Sequence, residues 1–173
     1  MERWELEYLE KKFKTKVFNI HSKNEEHCFP GFAENFSGFL HKTYIENMND
    51  NVPEEEELSR FGGLCIDFSH WQDGILLGNQ DFNKKMKEAA KNFPVGCSHI
   101  SGVGREMIET RDVVFPEIVY RGHAKHFFDN LKELDYIENF LEFLPDLISL
   151  ELENSFAEQL KAKAYLEKII FHK

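Results

Sequence analysis

The chain has 173 residues, 42% of them hydrophobic and 17 of them phenylalanine, so it is long enough for a single domain, 1–173, with a sizeable core. The formal net charge of −10 argues against nucleic-acid partners, and the apolar runs are far shorter than the roughly 20 residues of a membrane helix. Three cysteines without a CxxC pair predict neither a disulfide framework nor a zinc knuckle, and the charged start MERWELEYLEKKF is no signal peptide, so we expect a cytoplasmic protein.

Helices and strands alternate along most of the chain. Apolar residues at helical spacing predict an opening amphipathic helix over 2–13. Alternation of apolar and polar residues predicts five strands, at 17–21, 43–47, within 62–71, at 95–99 and at 148–153. Between them we predict a short aromatic helix at 32–40, a helix that begins with the solvated glutamates 54–57, and helices at 80–92 and 131–144. Ser155 and Glu158 form a capping box before a final helix.

The segment between the fourth and the last strand is less regular. SGVG at 101–104 predicts a flexible turn, and 105–111 suits one or two helical turns. Residues 113–120 are strand-like but interrupted by Pro116, which favours a loop excursion or an edge strand.

This order of elements predicts the fold class α/β. Strands that alternate with helices form parallel βαβ units, in which helices cover the apolar strand faces. Polar residues fall at the carboxyl ends of the predicted strands, where α/β folds place their active sites.

The stretch GGLCIDFSHW, 62–71, contains the most informative strand. Cys65 and Asp67 share one face of it, and the apolar residues between and around them take the other face. We expect Asp67 to point into a site and His70 to start the following loop, although the two residues would also suit a polar pair that caps the next segment. Cys65 and Cys97 are interpreted as small buried hydrophobic residues.

The other strands end in residues of the same chemical kind. His21 ends the first strand, Glu46 the second and His99 the fourth. Each of these residues also suits an ordinary structural role instead of a role in a site; His99, for example, suits a hydrogen-bonded histidine of the core. On the last strand Glu151 and Glu153 point the same way, and only one of them is expected to belong to a site.

Four motifs, ENM, DFSHW, SHISG and LELEN, together resemble the xylose-isomerase-like TIM-barrel superfamily. This superfamily contains sugar-phosphate isomerases and epimerases and the apurinic endonucleases of the endonuclease IV type. The resemblance covers essentially the whole chain but corresponds to only the last five of the eight βα units. It implies a partial TIM (β/α) barrel of about five parallel strands that lacks the first three units. We therefore expect a homo-oligomer, or a partner chain that completes the barrel.

The resemblance also implies a metal centre and a reaction. One divalent ion, Mn²⁺, Mg²⁺ or Zn²⁺, is expected on four ligands: Glu46, Asp67, His99 and Glu151. The implied substrate is a sugar or sugar phosphate, and Glu46 and Glu151 would move its proton next to a carbonyl. His21 and His70 match further histidines of the family, and we place both at the substrate.

The segment RGH, 121–123, departs from the family pattern. The endonuclease branch has a D-x-H motif after the seventh strand, and here Arg121 takes the place of its aspartate. This argues against DNA repair, and we expect Arg121 and His123 to contact a substrate hydroxyl or phosphate instead. Two alternatives to the isomerase or epimerase remain, namely an endonuclease IV-like enzyme and a non-catalytic barrel remnant that acts as a binding or assembly module.

Overall fold

A five-stranded parallel sheet forms the centre of the structure, a computed structural model that describes residues 2–22, 36–111, 117 and 119–171. The sheet curls into a half-barrel, and helices accompany it. Its strands, in spatial order, are β1 (Phe18–His21), β2 (Thr43–Glu46), β3 (Leu64–Asp67), β4 (Val95–Ile100) and β7 (Ile148–Leu150). The five predicted strands are thus confirmed, with ends shifted by a few residues.

The register of the sheet lines up the residues that end the strands. His21 lies opposite Glu46, Asp67 lies opposite His99, and His99 lies opposite Ser149, two residues before Glu151. Because all five strands are parallel, their carboxyl ends meet at one edge of the sheet. Polar side chains from distant parts of the chain are therefore brought together at that edge.

A register shift between β3 and β4 aligns two cysteines. Leu64 pairs with Val95, but Cys65 pairs with Cys97, so Gly96 is an extra residue in β4. The ring of Tyr44 occupies the space beside Gly96, where an added Cβ would lie 2.0 Å from a ring carbon. Only glycine fits this close approach, and the bulge places Cys97 beside Cys65.

Helices follow most of the strands. They are α1 (Arg3–Phe13), α2 (Glu55–Arg60), α3 (Phe68–Leu76), α4 (Gln80–Asn92) and α5 (Phe156–Phe171), with a 3₁₀ helix at Leu131–Phe143 and a short 3₁₀ turn at Leu40–Lys42. The capping box before α5 is confirmed, because the Ser155 amide donates to Glu158 Oε2 and the Glu158 amide donates to Ser155 Oγ. In the parts of the chain that the structure describes, no helix is both long and apolar enough to cross a membrane.

The main core lies between the apolar face of the sheet and the helices. Its buried aromatic centre joins α3 to the 3₁₀ helix, with ring centroids 5.3 Å apart for Phe68 and Phe140 and 4.8 Å apart for Trp71 and Phe140. This packing fixes α3 directly after β3. It therefore also fixes Asp67, which ends β3 and is the N-cap of α3.

The predicted helix at 131–144 has 3₁₀ rather than α-helical hydrogen bonds. Its apolar residues recur at every third position, at Leu131, Leu134, Ile137, Phe140 and Phe143. In a 3₁₀ helix residues i and i+3 lie one above the other, so this spacing forms a straight apolar stripe. Burial of Leu134, Ile137 and Phe140 supports the unusual length of the element.

The prediction for 101–111 was wrong. Instead of a flexible turn and helical turns, the structure has β5 (Gly102–Arg111), which pairs in antiparallel fashion with β6 (Val119–Lys125) in a separate two-stranded sheet. The long-range pairing with β6 overrides the weak local helical signal. Pro116 and most of the predicted 113–120 segment lie outside the described residues, as do residues 32–35 of the predicted helix at 32–40; its described part is a turn that leads into the 3₁₀ turn Leu40–Lys42.

The glutamates at the start of α2 are only partly solvated, contrary to expectation. Glu54 to Glu56 are exposed, but Glu57 is buried and its Oε2 accepts a hydrogen bond of 2.7 Å from the Ser22 hydroxyl. Glu57 therefore ties α2 to the end of β1.

Candidate metal centre

The four residues predicted as ligands come together at the carboxyl edge of the sheet. Glu46, Asp67, His99 and Glu151 each offer one ligand atom, and these atoms all lie within 4.8 Å of one another. Glu153 is exposed outside this group, and its backbone amide donates to the carbonyl of His126. The alternation of the last strand did not decide whether Glu151 or Glu153 belongs to a site. The structure places Glu151 in the group.

Both oxygens of Glu46 are held by neighbouring side chains. It ends β2 and is buried, with Oε2 accepting a hydrogen bond of 2.6 Å from Asn19 Nδ2. Its other oxygen, Oε1, lies 3.1 Å from His99 Nδ1. Glu46 is therefore fixed from β1 and from β4 at once.

One oxygen of Asp67 holds the start of α3. It ends β3 and is the N-cap of α3, where Oδ1 accepts hydrogen bonds from the amides of Ser69 and His70 and from the Ser69 hydroxyl. Its backbone is held by two hydrogen bonds to the Asn47 side chain. The prediction that His70 starts a loop was wrong, because this cap lets α3 begin immediately after the strand.

The other oxygen of Asp67, Oδ2, takes no part in the cap. Asp67 is fully buried, and among the described residues Oδ2 has no hydrogen-bond partner; His70 Nε2 lies 3.6 Å from it. A buried carboxylate oxygen without a partner is costly. A divalent cation among Glu46, Asp67, His99 and Glu151 would satisfy it, so the donor set fits a metal ion.

His99 lies between two carboxylates. Its Nδ1 is 3.1 Å from Glu46 Oε1 and 3.3 Å from Glu151 Oε2. Burial alone would lower the pKa of His99, but hydrogen bonds to Glu151 and Glu46 outweigh it and raise the pKa to about 10. The same hydrogen bond from His99 holds the pKa of Glu151 below its ordinary value, against the effect of burial.

The raised pKa of His99 predicts how the stability of the metal-free protein depends on pH. The pKa rises on folding from 6.5 to about 10, so the contribution of the charged ring is complete below pH 6.5 and is lost as the pH rises toward 10. We expect the free energy of unfolding, measured with urea in the presence of a chelator, to fall by more than about 2 kcal/mol over this range.

His99→Gln should flatten this dependence, because it removes the group that titrates between Glu46 and Glu151. His126→Gln is the matched control, since His126 is exposed. An equal slope in wild type and His99→Gln would contradict the assigned cause.

The four residues predicted to contact substrate are placed differently from one another. His21 is exposed at the end of β1, opposite Glu46, and His70 is next to Asp67 in α3. His123, in β6, is partly buried; its amide donates to Asp73 Oδ1, and its Nδ1 has no hydrogen-bond partner within the described part of the chain. Arg121 is exposed on the hairpin and pairs with Glu109 at 3.1 Å. None of the four belongs to the group of ligand atoms.

Sequence reasoning missed two neighbours of the site. Asn19 orients Glu46, and its place on the same face of β1 as His21 was the available signal. Cys65 was interpreted as a packing residue, yet its sulfur groups with Glu46 and His99 as possible metal ligands within 4.8 Å. Its position two residues before Asp67, on the same face of β3, was the signal in that case.

A cavity of about 500 Å³ opens beside the site. It is lined by residues of three strands, including Asn19 of β1, Cys97 and His99 of β4 and Ser149 of β7. Lys14 and Lys16 line it as well. Its volume is within the range of about 300 to 1,000 Å³ typical of small-molecule sites.

Comparison of the chain with protein-family models, with curated proteins and with solved structures finds no match. The resemblance to the xylose-isomerase-like superfamily therefore stays an expectation drawn from the sequence motifs.

Proposed function

We propose that this protein binds one divalent metal ion and catalyses isomerisation or epimerisation of a sugar or sugar phosphate. The observation that carries the proposal is the buried Oδ2 of Asp67, which lacks a hydrogen-bond partner among the described residues, in a side chain grouped with three further ligand residues. Carboxylate and imidazole ligands suit Mn²⁺, Mg²⁺ and Zn²⁺. When bound, such an ion polarises a carbonyl and stabilises the negative charge that develops on its oxygen.

Glu151 is the better candidate for the group that accepts a proton from carbon. Its side chain is 43% exposed, whereas that of Glu46 is 4% exposed and is bonded to Asn19 and His99. Since its pKa is held below the ordinary value, Glu151 is ionised at neutral pH and ready to take a proton. The neighbours of Glu46 confine its side chain, so Glu46 acts mainly as a metal ligand. Its second role is to return the proton to the substrate.

The proposed architecture behind this function is part of a TIM barrel. It is supported by the parallel strand order β1-β2-β3-β4-β7 and by a site at the carboxyl ends of the strands. Among the described residues, β1 and β7 each pair on one side only. Self-association, or pairing with another chain, through these edges stays a prediction.

The endonuclease alternative has less support. Arg121, at the place of the family's aspartate, is exposed and pairs with Glu109 on the hairpin. The formal net charge of −10 also disfavours a DNA-binding track.

Proton exchange in D₂O tests the proposal. The protein is incubated with Mn²⁺ and a panel of ketoses, aldoses and their phosphates, and deuterium at the carbon next to the carbonyl is measured by NMR. We expect exchange with at least one sugar, and its loss when a chelator removes the metal. Absence of exchange across the panel, or incision of abasic DNA instead, would contradict the proposal.

A further inference from the structure

The candidate metal centre contains a second ligand set that overlaps the first. Glu46, Cys65 and His99 offer an oxygen, a sulfur and a nitrogen within 4.8 Å of one another. Glu46 and His99 belong to both sets, while Asp67 and Glu151 belong only to the first. An ion that moves from one set to the other exchanges two carboxylates for a sulfur ligand.

Cys65 is built into the wall of the site. It is fully buried, it precedes Asp67 by two residues on the same face of β3, and it lies opposite Cys97 through the bulge at Gly96. The two cysteines are direct partners across β3 and β4. Cys97 lines the cavity of about 500 Å³, so the cavity leads to the cysteine pair.

The two sets differ in chemical softness. Thiolate ligands favour Zn²⁺ and Cd²⁺, whereas a set with three carboxylates favours Mg²⁺ and Mn²⁺. A coordinating thiol loses its proton, so binding through Cys65 releases that proton to water. The identity of the ion therefore decides which ligands surround it.

We propose that Zn²⁺ and other thiophilic divalent ions bind this protein through Cys65 together with Glu46 and His99, while Mn²⁺ and Mg²⁺ bind Glu46, Asp67, His99 and Glu151. This inference rests on the proposed function for the shared site. It adds that the identity of the bound ion decides which residues ligate it. The unpartnered Oδ2 of buried Asp67 supports a cation in the carboxylate-rich set, and the Cys65 set shares Glu46 and His99 with it. With Zn²⁺ on Cys65, Glu151 is released from metal ligation.

Titration of the metal-free protein with Cd²⁺ tests this inference, because a cadmium–thiolate bond has an ultraviolet charge-transfer band. We expect wild type to develop the band up to one equivalent of Cd²⁺, and Cys65→Ala to lose it. Cys97→Ala is the matched control and should keep the band. Cys65→Ala should also weaken Zn²⁺ binding by about tenfold or more and change Mn²⁺ binding by less than about threefold.

A band that survives Cys65→Ala, or unchanged Zn²⁺ affinity in that variant, would overturn the inference. So would Cd²⁺ binding to wild type without a thiolate band. Circular dichroism checks that each variant is folded, and Cys65→Ser replaces the alanine variant if that one is not. Mn²⁺ binding to wild type reports separately on the proposed function, since it does not depend on Cys65.

Discussion

Asp67→Asn is expected to weaken Mn²⁺ binding by more than about 100-fold without unfolding the protein, because direct ligands matter more than the residues that orient them. The amide oxygen of asparagine can keep the cap of α3 by accepting from the amides of Ser69 and His70. Its NH₂ group then replaces Oδ2, and an NH₂ group cannot ligate a cation. Electron paramagnetic resonance of free Mn²⁺ measures the affinity.

Asp67→Ala separates the two tasks of this carboxylate. It should lose the metal like Asp67→Asn and also lose the cap, at an added cost of about 0.5 to 2 kcal/mol in the free energy of unfolding. Both variants are compared with wild type by urea unfolding in a chelator. Wild-type Mn²⁺ affinity in Asp67→Asn would mean that Oδ2 is no ligand.

Glu151→Gln should lower the rate of deuterium exchange by roughly 10² to 10⁴ at saturating Mn²⁺, because the amide cannot accept the proton from carbon. The variant should still fold, since the side chain is nearly half exposed and its ion pair with His99 is one of two carboxylate contacts of that ring. Glu153→Gln is the matched control, an exposed neighbour outside the ligand group, and should exchange like wild type.

The comparison of these two variants locates the catalytic base. If Glu151→Gln retained wild-type exchange while still binding Mn²⁺, then Glu151 would not be the catalytic base. If Glu153→Gln lost exchange instead, the register assigned to the end of the last strand would be wrong.

The strands and the site edge were predictable from the sequence because both depend on period-two alternation. A buried parallel strand that ends in a polar residue leaves a strong local pattern, and parallel pairing then brings such ends together without further information. Glu46, Asp67 and His99 were found in this way. Glu151 was chosen over Glu153 by resemblance, and the structure places it in the group.

Features that depend on long-range contacts were not predictable. β5 and β6 form a ladder only with each other, so neither has a strong pattern of its own. The cap of α3 looked like a loop start because Asp67 suits both a cap and a ligand, and the structure shows that Oδ1 makes the cap. The pairing of Cys65 with Cys97 required the bulge at Gly96, which no local pattern indicates.

The central claim is that Glu46, Asp67, His99 and Glu151 hold one divalent ion. Crystals of the protein grown with Mn²⁺, with diffraction recorded near the manganese absorption edge, test it most directly. We predict a single anomalous peak at the carboxyl edge of the sheet, at bonding distance from Asp67 Oδ2 and His99 Nδ1. An anomalous map without a peak among these four side chains, at saturating Mn²⁺, would contradict the account.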